Sequence, residues 1–196
     1  PRSTLGRSSA ASDVYKRQVF TGCPSSEMSI RILLDQYDEA QQWVSQLKDV
    51  FGPERLFVEV MNHGIDIEKK LVPGQLMMAK HMGLRLVATD DSHYARRSDA
   101  KHHEEMLCIQ SGARMSDKPA DQGGRRFTFA GDKYYVKSAR HMSSLFPEDD
   151  FPGALSNTLL VTEMASDLAV TFNPHLRPYP KIPEGFESVS YTHLRA

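Results

Sequence analysis

Leu56-Phe57-Val58-Glu59-Val60-Met61 and Leu84-Arg85-Leu86-Val87-Ala88-Thr89 are the two stretches on which the fold turns. Each is a short apolar run bounded by turn residues, Asn62-His63-Gly64 after the first and Asp90-Asp91 after the second, which is how a buried strand reads. Between them Leu76, Met77, Ala79 and Met82 follow helical spacing, and Gly83 supplies a C-cap. Pro73 suits a first helical turn, so the helix is predicted from about residue 73. Strand, helix and strand in immediate succession make residues 56–89 a βαβ unit with parallel strands and, by default, a right-handed crossover. The fold class is α/β.

On the amino side, Ile30, Leu33, Leu34, Tyr37, Ala40, Val44, Leu47 and Phe51 predict one helical face over 27–51, stopped by Gly52-Pro53. Before it, Val19-Phe20 reads as a strand that runs into Thr21-Gly22-Cys23-Pro24. On the carboxyl side the pattern predicts a helix over 99–110 and an aperiodic loop over 112–124. Phe127-Thr128-Phe129 and Tyr134-Tyr135-Val136, flanking Ala130-Gly131-Asp132-Lys133, read as a hairpin. Ser138 caps a short helix ending near Phe146-Pro147, and a second helix is expected over about 152–168. Pro174, Pro178, Pro180 and Pro183 make the tail an extended linker. Trp43, the methionines and Cys108 read as core.

The ends are different in kind. Residues 8–18 back-translate onto the adapter and mosaic end of transposase-based sequencing libraries, with Pro1-Arg2-Ser3-Thr4 fitting the primer upstream. Val189 to Ala196 match the same mosaic end in reverse. Segments 1–18 and 188–196 are therefore set aside as one would a fusion scar. The native piece is expected to be 19–187, cut at both ends, with 19–125 as the strand-and-helix part and 126–187 as its exit. Without Arg2, Arg7, Lys16, Arg17, Arg195 and Asp13, the 24 basic and 25 acidic residues leave a net charge of about −5. That balance excludes nucleic-acid binding by bulk electrostatics. No apolar stretch reaches the ~18 residues of a membrane helix. Two cysteines give no disulfide framework, so a reducing cytoplasm is expected.

In parallel α/β folds, chemistry gathers at the carboxyl ends of the strands. Cys23 and the Asp91-Ser92-His93 cluster both follow such ends. In extended backbone, residues two apart share a side, so Asp91 and His93 can reach one ion; a loop Asp beside a solvated His is the other reading. Cys23 is either a thiolate ligand or a small buried hydrophobe. Sulfur beside imidazole favours zinc, and the carboxylate also admits manganese. His63 falls on the same rim, either as a residue behind the ligands or facing substrate, or as a turn-stabilising group beside Gly64. His102-His103-Glu104-Glu105 diverges around a helix and reads mostly as solvated face. Arg96-Arg97 and Arg125-Arg126 read as phosphate contacts or as solvated surface.

Taken in order, these segments resemble one family. Thr21-Gly22-Cys23-Pro24-Ser25-Ser26-Glu27 resembles the T-G-C-P-S-G-E element of the PHP (polymerase and histidinol phosphatase) domain of bacterial DNA polymerase III alpha subunits. Leu86 to Tyr94 resembles its V-A-T-N-D-x-H-Y, and residues 105–112 its L-L-C-I-Q-T-G. Phe127 to Met142, Ala154-Leu155-Ser156-Asn157-Thr158 and Ile182-Pro183-Glu184-Gly185 are similar to later elements leading into the polymerase core. The resemblance implies a distorted seven-stranded β/α barrel, of which this chain holds the carboxy-terminal part, with metal ligands Cys23, Asp91 and His93. It implies a metal-dependent 3′–5′ proofreading exonuclease where the full ligand set is kept, and an inert scaffold of the polymerase where it has decayed. Asp90 stands where Asn is usual and Ser92 where Cys is frequent, and neither change removes a ligand. The family's amino-terminal H-x-H and its further His, Asp and Glu ligands are expected before Val19. DNA, a sliding clamp and a separate proofreading subunit are the implied partners, and magnesium serves a polymerase site outside this chain. A free-standing PHP phosphoesterase is disfavoured by residues 127–187. The piece on its own is expected to be inactive.

Overall fold

In the computed structural model, residues 18–166 are described. The order is β1 (Val19–Phe20), α1 (Glu27–Leu33), α2 (Tyr37–Phe51), β2 (Leu56–Val60), α3 (Asp66–Met82), β3 (Arg85–Ala88), α4 (Ala100–Ser111), α5 (Ala139–Leu145) and α6 (Ser156–Met164). The strands form a three-stranded parallel sheet in the order β1-β2-β3. Val19 lies opposite Leu56, and Phe57 opposite Arg85 through to Val60 opposite Ala88. Parallel strands need crossovers, which α1–α2 and α3 provide. β2, the central strand, is buried along its whole length.

Alternation divides the sheet's two faces. Leu56, Val58 and Val60 join Leu84, Leu86 and Ala88 in a core shared with Met28, Ala40, Val44, Met78 and Ala79 of the helices. Each large side chain buried there contributes about 1.5–3 kcal/mol. Phe146 and Ala154 enter the same core from the carboxyl side. Phe57 points to the other face, edge-on to Phe20 at 5.8 Å.

Three sequence expectations are corrected. The 27–51 helix is two helices: Leu34 closes α1, Asp35 adopts φ 58°, and the Gln36 N–H bonds the Arg31 carbonyl at 2.8 Å. Asp tolerates the left-handed region because its short side chain can bond locally, so no glycine announces the break. The next helix starts at Asp66 and runs through Pro73. Proline there forfeits the bond to Lys69, yet Leu71, Gln75, Met78 and Ala79 are buried on both sides of it, and packing overrides the local cost. Residues 127–136 form no hairpin. Their backbone makes one isolated bridge, Tyr135 with Tyr94, because the aromatic side chains pack around the 93–94 loop instead.

The helix after Ser138 is present, with the Ser138 side chain accepting from the His141 N–H. The last helix is shorter than expected, and its predicted end beyond Ser166 lies outside the described residues. So do the proline-rich tail, Ile182-Pro183-Glu184-Gly185, and nearly all of both adapter-like ends.

Candidate metal centre at the carboxyl edge of the sheet

Two loops leave the carboxyl edge of the sheet on either side of the central strand, one after β1 and one after β3. The first is the Thr21-Gly22-Cys23-Pro24 turn. Gly22 takes φ 90°, a conformation that favours glycine, and a Cβ there would meet the Ser26 Cβ at 3.0 Å. Ser26 closes the turn by donating its N–H to the Cys23 carbonyl at 2.9 Å and caps α1 through its side chain. Cys23 is half-buried and free.

The second loop carries Asp90 to Tyr94. Asp91 sits at φ 39°, which turns the chain sharply after β3. His93 Nε2 lies 3.4 Å from Asp91 Oδ1. Two ligands of one tetrahedral zinc, each ~2.0–2.2 Å from the ion, stand roughly 3.4 Å apart, so the pair has the spacing of one edge of such a shell. Cys23 does not complete it: among the described residues no three His, Cys, Asp or Glu side chains gather closely enough to hold an ion.

Behind the loop stands a buried polar network. His63, 3% exposed, makes an Nδ1 contact with Glu68 Oε1 at 2.6 Å and donates from Nε2 to the Asp90 carbonyl at 2.8 Å. Its main-chain N–H donates to Glu68 Oε2 at 2.6 Å. A carbonyl only accepts, so Nε2 carries a proton, and the carboxylate draws a second onto Nδ1. Burial alone would lower the His63 pKa; the Glu68 hydrogen bond, the Asp90 carbonyl and the Glu68 charge outweigh it and raise the value above 6.5. The Asp90 carboxylate pairs with the buried Lys137 ammonium and accepts from the Lys137 N–H at 3.2 Å and from Ser92 Oγ at 2.6 Å. Neither His63 nor Asp90 is displayed to solvent as Asp91 and His93 are.

The downstream segment holds the loop from its other side. The His93 N–H donates to the Tyr134 carbonyl at 2.7 Å, and the Val136 N–H to the Tyr94 carbonyl at 3.1 Å. The His93 ring packs against Phe129 at 4.4 Å and His103 at 5.2 Å. Tyr134 stacks on His63 at 4.2 Å, and its burial raises its pKa to about 12.

Four residues have roles that the sequence reading missed. His103 was grouped with a solvated face; His102 is exposed, but His103 turns toward His93, and burial first, then the His93 charge, lowers its pKa. Arg97 is forked onto Asp132 at 2.8 and 3.0 Å, and Arg126 pairs with Glu104, so these two are committed to carboxylates. Glu59 was read only as part of a strand, yet its carboxylate accepts from Thr89 Oγ1 at 2.6 Å and is 8% exposed. The signal was a single acid in an otherwise apolar run.

Comparison with known proteins gives a uniform answer. No family model matches the chain. A DNA polymerase III subunit alpha of Saccharopolyspora erythraea is 46% identical over 143 residues, 73% of this chain and 11% of the relative. Proteins of the same name from Mycobacterium tuberculosis and Thermus aquaticus are 36% and 33% identical over 174 residues, 88% and 87% of this chain and 14% of each relative. The chain is therefore similar, along most of its length, to one segment of DNA polymerase III alpha subunits, spanning between about a ninth and a seventh of the length of those relatives.

Proposed function

We propose that this chain is part of the PHP domain of a replicative DNA polymerase alpha subunit, and that in the intact protein this domain is a metal-dependent 3′–5′ exonuclease. The observation that carries the reading is the Asp91–His93 pair, two donors 3.4 Å apart on an exposed loop at the carboxyl edge of a parallel sheet. Asp91 and His93 would hold one divalent ion, zinc by the chemistry of imidazole and thiolate, with manganese as the alternative and Cys23, on the turn after β1, the third donor. An ion held there supplies an activated water and neutralises charge at a scissile phosphodiester. The protein's own work is positional. Glu68, His63 and the Asp90 carbonyl fix the start of the loop, Lys137 locks the Asp90 side chain, and the Tyr134 carbonyl fixes the main chain of His93. DNA, the sliding clamp and other replicase subunits are partners of the whole protein, and magnesium belongs to its polymerase site.

A second reading has its own observation. The absence of a three-donor cluster among the described residues is what an inert PHP scaffold would present. A full-length alpha subunit carrying this segment separates the two. On a 3′-labelled mismatched primer, the wild type should trim in a chelator-sensitive way, and His93→Ala should lose trimming by orders of magnitude while primer extension continues. Wild-type protein that extends primers but never trims them would establish the scaffold.

A further inference from the structure

Glu59 is placed oddly for a charge. It lies in the central strand, where every other residue is apolar and the whole strand is buried. A carboxylate in that position costs free energy unless its oxygens are satisfied, and replacing such a buried polar group by an apolar one of similar size is often neutral or stabilising. The sheet itself has no need of it.

What Glu59 does touch is informative. Its N–H donates to Thr21 Oγ1 at 3.0 Å, prolonging the pairing of the two-residue β1 by a side chain. Its carboxylate accepts from Thr89 Oγ1 at 2.6 Å. Its carbonyl accepts from Gln75 Nε2 at 3.0 Å, anchoring the strand to α3. Thr21 lies two residues before Cys23, and Thr89 two residues before Asp91. One buried residue therefore holds the positions just beyond both flanking strands, Thr21 through its main-chain N–H and Thr89 through its carboxylate, at the roots of the two loops that carry the candidate ligands.

We propose that Glu59 is a positioning residue that, by holding Thr89 against the central strand, sets the placement of the Asp91–His93 loop, and through it the affinity for a divalent ion held there. This rests on the metal reading of those loops. Groups standing behind metal ligands commonly change affinity by about 10–100-fold when removed. A purely structural role would couple any loss of ion to a loss of fold. A positioning role uncouples them.

The test uses a full-length alpha subunit carrying this segment, stripped with chelator and titrated with zinc by equilibrium dialysis, with thermal unfolding measured on the same samples. The ion equivalents lost in His93→Ala define the site. Glu59→Gln should bind zinc there about 10–100-fold more weakly, with no fall in unfolding temperature. Thr89→Val keeps the carboxylate and removes its hydroxyl donor; it should weaken zinc in the same direction, and the double variant should be no worse than Glu59→Gln alone. Should Glu59→Gln fail to fold, Thr89→Val decides on its own. Zinc affinity within about twofold of wild type in Thr89→Val and any folded Glu59→Gln, or lost only in step with unfolding, would overturn the role of Glu59. Wild-type protein holding no ion that His93→Ala removes would overturn the metal reading and the positioning role together.

Discussion

His63 Nδ1 and Glu68 Oε1 stand 2.6 Å apart with both side chains almost wholly enclosed, at 1% and 5% exposure. The pair spans the turn after β2 and the first turn of α3, and its far nitrogen holds the Asp90 carbonyl. Removing one partner strands the other. His63→Leu in a full-length alpha subunit carrying this segment should therefore destabilise this domain by about 3 kcal/mol, seen as earlier melting and faster proteolysis near residue 63. Unchanged melting would mean that the pair adds nothing net.

The same pair gives a pH dependence. The His63 pKa is raised in the folded state, so folding favours its protonated form. That stabilisation is complete below the ordinary value of 6.5 and is lost as pH rises through the raised one. Glu68 from α3, the Asp90 carbonyl, the stacked Tyr134 and the opposing Lys137 charge all face the ring. Melting temperature should fall as pH rises above the ordinary value of 6.5, and Glu68→Gln should flatten that slope. An equal slope in both proteins would assign the pH effect to other groups.

Asp91 combines two properties that substitutions can separate. At φ 39° it occupies backbone space that Asn also tolerates and Ala does not. Asp91→Asn should keep the fold and weaken metal binding, whereas Asp91→Ala should weaken metal and cost about 1–2 kcal/mol of loop stability as well. Zinc titration beside thermal unfolding distinguishes them, and identical unfolding of the two variants would remove the backbone argument.

Gly74 of α3 packs closely against Ile32 of α1. A Cβ there would stand 2.5 Å from Ile32 Cγ2. Gly74→Ala should lower the melting temperature despite alanine's better helix propensity of about 1 kcal/mol. Adding Ile32→Ala should recover part of the loss, and the size of that non-additivity measures the contact.

How much of this was legible in the chain follows from where the signals were local. The 56–60 and 85–88 strands, the α3 stop at Gly83 and the Ser138 cap each depend on residues within a few positions, and all are present. The break at Asp35 and the passage through Pro73 depend on what the helices pack against, so local propensity misplaced them. The absent hairpin has the same cause: Phe129 and Tyr134 are used to cover His93 and His63, contacts between positions far apart in sequence. Asp91 and His93 do come together, at 3.4 Å, yet not by the extended backbone that the spacing assumed, since Asp91 sits at φ 39°. The partnership of His63 with Glu68 crosses a turn, and the lone acid in the 56–60 run marks Glu59 without naming its partner, because its reach to Thr89 crosses between strands.

The two flanks of the sheet are not equivalent. Along β3, the Ala88 N–H is taken by the Ala154 carbonyl and the Leu86 carbonyl by Asn157 Nδ2, so the lead-in to α6 stitches that side shut. Among the described residues no strand pairs outside β1. Any strand that joins this sheet, whether from the same polypeptide or from a stranger, must dock beside Val19 and Phe20. Growth is one-directional, and it is Ala154 and Asn157 that make it so.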